Sequence, residues 1–216
     1  MPILSFRRKV EEISDSWARY CLMLAYLTAG RSNELAGVQL PSDIRPGEEG
    51  VNVPGFFSEA IGPRVSDVEY EKMEDGSEAM KITIRTEKRA NHPLRIIALP
   101  MGPVEPWTQH LRNCFQRFGA ADPLVPFNRR QLSRYYLRYG FTEKADTEAR
   151  KNPLRHVRIT HLLDYYRLSP VEVSLYSGWS LSAASRSMGG AGTLAEYSHL
   201  RWREYYPRLL KPLPSP

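Results

Sequence analysis

Phosphate chemistry is the first possibility that the residue types raise. Arg31 lies in Thr28-Ala29-Gly30-Arg31-Ser32-Asn33-Glu34-Leu35, and Arg155 lies in Asn152-Pro153-Leu154-Arg155-His156-Val157-Arg158-Ile159-Thr160-His161-Leu162-Leu163. A guanidinium stays protonated and presents a planar fork of donors that holds two phosphate oxygens, so two arginines can clamp a phosphate while charge builds on it. The charge around Arg155 is concentrated. Arg129, Arg130, Arg134, Arg138, Lys144, Arg150, Lys151, Arg155 and Arg158 stand against Glu143, Asp146 and Glu148, with Tyr135, Tyr136 and Tyr139 interleaved. Such a local excess is what a DNA-facing surface requires. Across the whole chain 30 Lys and Arg face 24 Asp and Glu, a net charge of +6 that suits a polyanionic partner, because neutralised phosphates release condensed counterions.

The elements that must position these residues follow from periodicity. Apolar residues at helical spacing (Trp17, Tyr20, Cys21, Leu24, Leu27) predict a helix from about Ser14 to Ala29. Gly30 interrupts it, and a second helix starts near Ser32, with Ser32 or Asn33 able to cap, and ends by Pro41. Residues 41–79 are rich in Pro, Gly, Asp and Glu, with a β-like piece from Val65 to Tyr70. Met80–Arg85 and Leu94–Leu99 alternate with period two around a polar connection, which predicts an antiparallel hairpin. Helical patterns then run over Trp107–Phe118, Arg130–Tyr139, His156–Tyr166 and Pro170–Ser177; Gly189-Gly190-Ala191-Gly192 makes a break before a last helix from about Leu194 to Leu210. The order of helices, a small sheet and more helices reads as α+β, mainly helical, in one domain over 1–210 with a disordered tail over 211–216. No apolar run approaches the roughly 20 residues of a membrane span. Cys21 and Cys114 form no disulfide framework or metal-ligand pattern; both read as small buried hydrophobes in a reducing, cytoplasmic interior.

The segment 152–163 resembles the second box of the tyrosine recombinases (phage-type integrases, including archaeal and viral ones), in which H-x-L-R-H opens a helix that continues T-H-L. Leu154, Arg155, His156, Thr160, His161 and Leu162 match in register. Thr28 to Leu35, followed by Leu40 and Ser42-Asp43-Ile44, resembles the first box. Ser177-Gly178-Trp179 is similar to the third, and Glu196-Tyr197-Ser198-His199-Leu200 to the nucleophile segment. All elements occur in family order from Thr28 to His199, and ordered agreement of several boxes is more specific than one short motif. The resemblance implies the recombinase catalytic-domain fold and DNA strand cleavage and rejoining through a 3′-phosphotyrosyl intermediate, without a metal or other cofactor. The partner is double-stranded DNA, on which copies assemble as dimers to tetramers, with no membrane involved. In this pattern Arg31 and Arg155 form the phosphate clamp, Lys88 in the hairpin connection is the acid for the 5′-oxygen leaving group (Arg89 or Lys81 the alternatives), Trp179 donates its N–H to the scissile phosphate, and Tyr197 attacks phosphorus.

Two positions depart from the pattern. Asn152 stands where the family usually has histidine; it can hydrogen-bond a phosphate oxygen or the tyrosine but accepts no proton near neutral pH. The stretch from Trp179 to Tyr197 is longer than usual and contains Met188-Gly189-Gly190-Ala191-Gly192, which leaves delivery of the tyrosine in cis or in trans open. Tyr205 and Tyr206 are the competing nucleophiles, although a buried or stacked tyrosine is the ordinary case. Trp179 can equally be a core indole, His156 a helix-packing group, and Glu34 either a partner of nearby basic groups or a solvated carboxylate. Full-length integrases carry an N-terminal helical DNA-binding domain that these residues lack, which leaves an excised fragment or a small stand-alone protein. Alternative functions are a type IB topoisomerase, a telomere resolvase, or a catalytically silent DNA-binding module on the same fold.

Overall fold

A computed structural model describes residues 1–36, 62–86, 94–126, 129–142, 152–178 and 202–214. The fold is α+β and mainly helical, with one three-stranded antiparallel sheet. The first helix, α1 (Ile3–Glu11), has no counterpart in the sequence reading: Ile3, Phe6 and Val10 face the core, while Arg7, Arg8 and Lys9 give the segment a polar appearance. Helix α2 (Ser16–Thr28) starts one residue after Asp15, whose carboxylate accepts from the Ala18 N–H at 3.0 Å. Its residues are buried almost without break from Ala18 to Thr28, as expected of a central helix covered on every side. Trp17 is the exception to the helical-spacing reading: it is exposed and stacks on Phe118.

Ala29 closes α2 in the left-handed conformation (φ 46°), and α3 (Ser32–Ala36) follows. Arg31 occupies the capping position of α3, not Ser32 or Asn33; Glu34 reaches back to accept the Arg31 N–H at 3.0 Å. A Cβ on Gly30 would lie 2.6 Å from the Leu35 side chain, so glycine is what lets the turn sit this close to α3.

Strands β1 (Val68–Lys72), β2 (Glu78–Arg85) and β3 (Leu94–Pro100) lie in the order β1-β2-β3. The register pairs Ile82 with Ile97 and Ile84 with Arg95, so Arg95 occupies the same sheet face as the buried Ile82 and Ile97. Val65–Asp67, expected as β-like, is a single 3-10 turn leading into β1.

Helices α4 (Pro106–Phe115), α5 (Arg129–Arg138), α6 (Pro153–Asp164) and α7 (Pro170–Ser177) complete the layer around α2, and α8 (Trp202–Leu209) packs on the sheet. Helix α6 starts at Pro153, three residues before the expected start, because proline suits a first helical position where its missing N–H goes unneeded. Helix α7 has the expected bounds, fixed by a Ser169–Glu172 capping box and by Gly178 (φ 69°). Lys211 and Pro212, in the tail expected to be disordered, are tied to α6: Lys211 donates to the Tyr165 carbonyl at 3.0 Å and the Tyr165 hydroxyl to that of Pro212. Among the described residues no helix is long and apolar enough to cross a membrane.

Candidate active site

Four segments distant in sequence meet around one carboxylate. Glu34, on the first turn of α3, is 1% exposed. One of its oxygens accepts from the Arg31 guanidinium. The other accepts the Arg31 N–H and lies 3.2 Å from Nη2 of Arg95 and 3.9 Å from Nη1 of Arg155. Arg155 Nη1 also donates to the Ala29 carbonyl at 2.6 Å, so the first turn of α6 is bonded directly to the α2–α3 turn. The two arginines that the sequence nominated as a phosphate clamp are thus brought to the same carboxylate, although they come from chain segments 126 residues apart at the Arg155–Ala29 bond.

Asn152 reinforces this contact from the position just before α6. It is an N-cap by location and by residue type, yet its side chain caps nothing in its own helix. Its Oδ1 instead accepts from the Ser32 N–H at 2.7 Å and from the Ser32 hydroxyl at 3.2 Å. The starts of α3 and α6 are therefore fastened together, which fixes the spacing of Arg31 from Arg155.

The hairpin and the end of α7 join at Arg95. Its Nη1 donates to the Ser177 carbonyl at 3.2 Å. Gly178 packs against the same side chain: a Cβ there would be 2.9 Å from Arg95 Cδ and 3.0 Å from the Thr86 hydroxyl. Thr86 precedes Lys88 by two residues and Gly178 immediately precedes Trp179. Lys88, Trp179 and Tyr197 themselves lie outside the described residues, as does Arg89.

Among the described residues, three guanidiniums thus share one carboxylate, and the pKa shifts record the imbalance. Burial pushes the Glu34 carboxyl up, but Arg95, Arg31, the Arg31 N–H and Arg155 outweigh it and hold it below the ordinary carboxylate range. Burial, then the Arg31 and Arg95 charges, push Arg155 down to about 9, with Glu34 opposing. Arg95 is lowered first by burial and then by Arg31, again against Glu34. A guanidinium keeps its charge across the physiological range. An anionic oxygen placed beside these three would relieve the like-charge repulsion, which is the electrostatic condition of a phosphate clamp.

Two alternatives from the sequence are answered differently by the geometry. Tyr205 and Tyr206 are both buried. The Tyr205 hydroxyl accepts the Ala98 N–H and donates to the Ile96 carbonyl, each at 3.1 Å, and burial pushes its phenol well above the ordinary range. Tyr206 donates to the Glu78 carbonyl at 3.1 Å. Both phenols are occupied in fastening α8 to the sheet. Lys81, the described alternative to Lys88, is paired with Glu69 at 2.8 Å and Glu71 at 2.9 Å, and these bonds raise its pKa, so its proton is held more firmly than that of an ordinary lysine.

Among its described residues the basic stretch 129–158 divides on folding; Lys144, Arg150 and Lys151 lie outside them. Arg129, Arg130, Arg134 and Arg138 are exposed along α5, with Arg129 reaching the Asn33 side chain at 3.2 Å. Arg158, counted with them as DNA-facing, turns into the core at 1% exposure. His156, expected to pack, is exposed, while His161 is buried with Nδ1 2.8 Å from the Tyr26 hydroxyl. Sequence reasoning missed Arg95 altogether. The signal lay in the alternation itself: a charge in phase with Ile97 and Leu99 is a charge on the core face, and such a residue needs a buried partner.

No family model, no curated protein and no solved structure matches the chain.

Proposed function

We propose that the chain is the catalytic domain of a tyrosine recombinase, acting in site-specific DNA recombination by cutting and rejoining strands through a 3′-phosphotyrosyl intermediate. The observation that carries this reading is the convergence of Arg31 and Arg155 on Glu34, with Asn152 bonded to Ser32 between them. Residues picked from separate boxes meet at one place, as the residues of one site would. Arg31 and Arg155 hold the non-bridging oxygens of the scissile phosphate and stabilise the charge that develops there. Tyr197 attacks phosphorus in line, forming the phosphotyrosyl bond, and the 5′ oxygen departs with a proton from Lys88. Trp179 adds an N–H donor to the phosphate. Asn152 accepts no proton near neutral pH and its Oδ1 is already committed to Ser32, so the phenol proton passes to solvent water. The exposed arginines of α5 supply salt-dependent contacts to the duplex backbone, on which copies assemble.

A nicked suicide duplex tests the reading. The wild-type chain accumulates a covalent protein–DNA adduct in the presence of EDTA, and Tyr197→Phe accumulates none while binding the duplex almost as tightly. DNA bound without any adduct would instead identify a silent DNA-binding module on this fold. Relaxation of supercoiled plasmid without sequence preference would identify the topoisomerase alternative.

A further inference from the structure

We infer that Arg95 is a positioning residue for strand cleavage, acting through Glu34 to set the Arg31–Arg155 clamp; the inference rests on the recombinase reading of the same site. A carboxylate held by two clamp arginines alone would draw both guanidiniums inward. Arg95 competes for it. Its Nη2 and Nη1 lie 3.2 Å and 3.5 Å from Glu34 Oε2, the oxygen that Arg155 approaches only to 3.9 Å. With part of the carboxylate's charge spent on Arg95, Arg155 bonds the Ala29 carbonyl at 2.6 Å instead.

The placement of Arg95 is costly enough to require a reason. It stands on the core face of β3, in line with Ile97 and Leu99, where an apolar side chain would pack without desolvating a charge. Its Nε is buried with no hydrogen-bond partner among the described residues. In return it joins three parts of the site with one side chain: the hairpin strand that carries it, the carboxylate of α3, and the Ser177 carbonyl at the end of α7. Gly178 leaves the space that this side chain fills, since any Cβ there would meet it at 2.9 Å.

The test is a mutant cycle between Arg95→Met and Glu34→Gln, read as single-turnover cleavage of the suicide duplex at saturating DNA. A single-turnover rate constant belongs to the folded molecules, so a merely structural role would reduce the amplitude and leave the rate unchanged. Arg95→Met is expected to slow cleavage about tenfold or more with DNA affinity unchanged. Arg95→Lys, which restores the charge, recovers most of the rate. Because Arg95 acts through Glu34, the double variant is no slower than Glu34→Gln alone. A wild-type rate in Arg95→Met, or single effects that multiply in the double variant, would overturn the inference while leaving the recombinase reading intact. If the methionine variant does not fold, Arg95→Lys decides: a slowing as large as that of Glu34→Gln overturns the positioning role of the charge. A wild-type chain that forms no adduct removes both readings together.

Discussion

Arg155 and Arg158 lie one turn apart on α6, both buried, and the protein treats their charges in opposite ways. Arg155 is set among like charges, with burial, Arg31 and Arg95 all lowering its pKa. Arg158 is set among aromatic rings: its guanidinium lies 5.0, 5.1 and 5.4 Å from the ring centres of Tyr26, Tyr166 and Tyr176. It also donates to the Tyr26 and Tyr176 hydroxyls at 3.4 and 3.1 Å. Burial disfavours this cation too, but Tyr176, Tyr26, Tyr166 and Glu105 outweigh it. The π faces and phenol oxygens satisfy the charge where it stands. Tyr176 in turn donates to the Leu27 carbonyl, and the Tyr26 hydroxyl is hydrogen-bonded with His161 Nδ1, so the cage ties α2, α6 and α7 together. One arginine is held in a state that an incoming anion improves; the other has its charge answered by rings and hydroxyls, although its Nε has no hydrogen-bond partner among the described residues. The first arrangement suits the binding of an anion, the second the holding together of a fold.

The contrast breaks or sharpens under substitution. Arg155→Met is expected to slow single-turnover cleavage by about a hundredfold or more, as loss of a donor to a charged transition state does. Its melting temperature should stay near wild type, because removing one of three clustered cations relieves repulsion; a large fall in stability would place Arg155 with Arg158. Arg158→Met should do the reverse, costing about 2–4 kcal/mol in urea denaturation as a buried network loses its centre. The surviving folded fraction should cleave at nearly the wild-type rate. Tyr205→Phe leaves the Ala98 N–H and Ile96 carbonyl without their partner and should cost about 1–3 kcal/mol, with adduct formation retained. The smallest effect is on pH. Glu34 has a depressed folded pKa, so its contribution is present above the unfolded carboxyl value of about 4.3 and is lost as pH falls through the folded value. Urea midpoints of wild type and Glu34→Gln should therefore converge on acidification, and a gap that widened would reverse the assigned direction.

What was legible in the sequence was local. Period-two alternation placed the β2–β3 hairpin, and Pro170 with Gly178 delimited α7, because caps and turns are written within a few residues of where they act. The boxes nominated Arg31 and Arg155, and both reach Glu34. Long-range pairing was not legible. Nothing near Asn152 announces that its side chain serves Ser32 rather than its own helix, and nothing near Arg158 separates a caged cation from a DNA-facing one; the deciding tyrosines come from α2, the bend after α6, and α7. Helix α1 was missed because three consecutive basic residues conceal the spacing of Ile3, Phe6 and Val10. One of those, Arg7, is itself buried against Glu105, with Nη2 2.7 Å from the carboxylate.

The Tyr205 hydroxyl also bears on how copies of this chain can associate. By bonding both the Ala98 N–H and the Ile96 carbonyl, it occupies two of the outer hydrogen-bonding positions of β3 with a side chain of the same molecule. The opposite margin, β1, carries Glu69, Glu71 and Lys72, charges that a neighbouring strand would have to desolvate. Among the described residues both margins are thus guarded against strand addition, a common way in which sheets join between chains. Any association between copies is then left to surfaces other than these two margins.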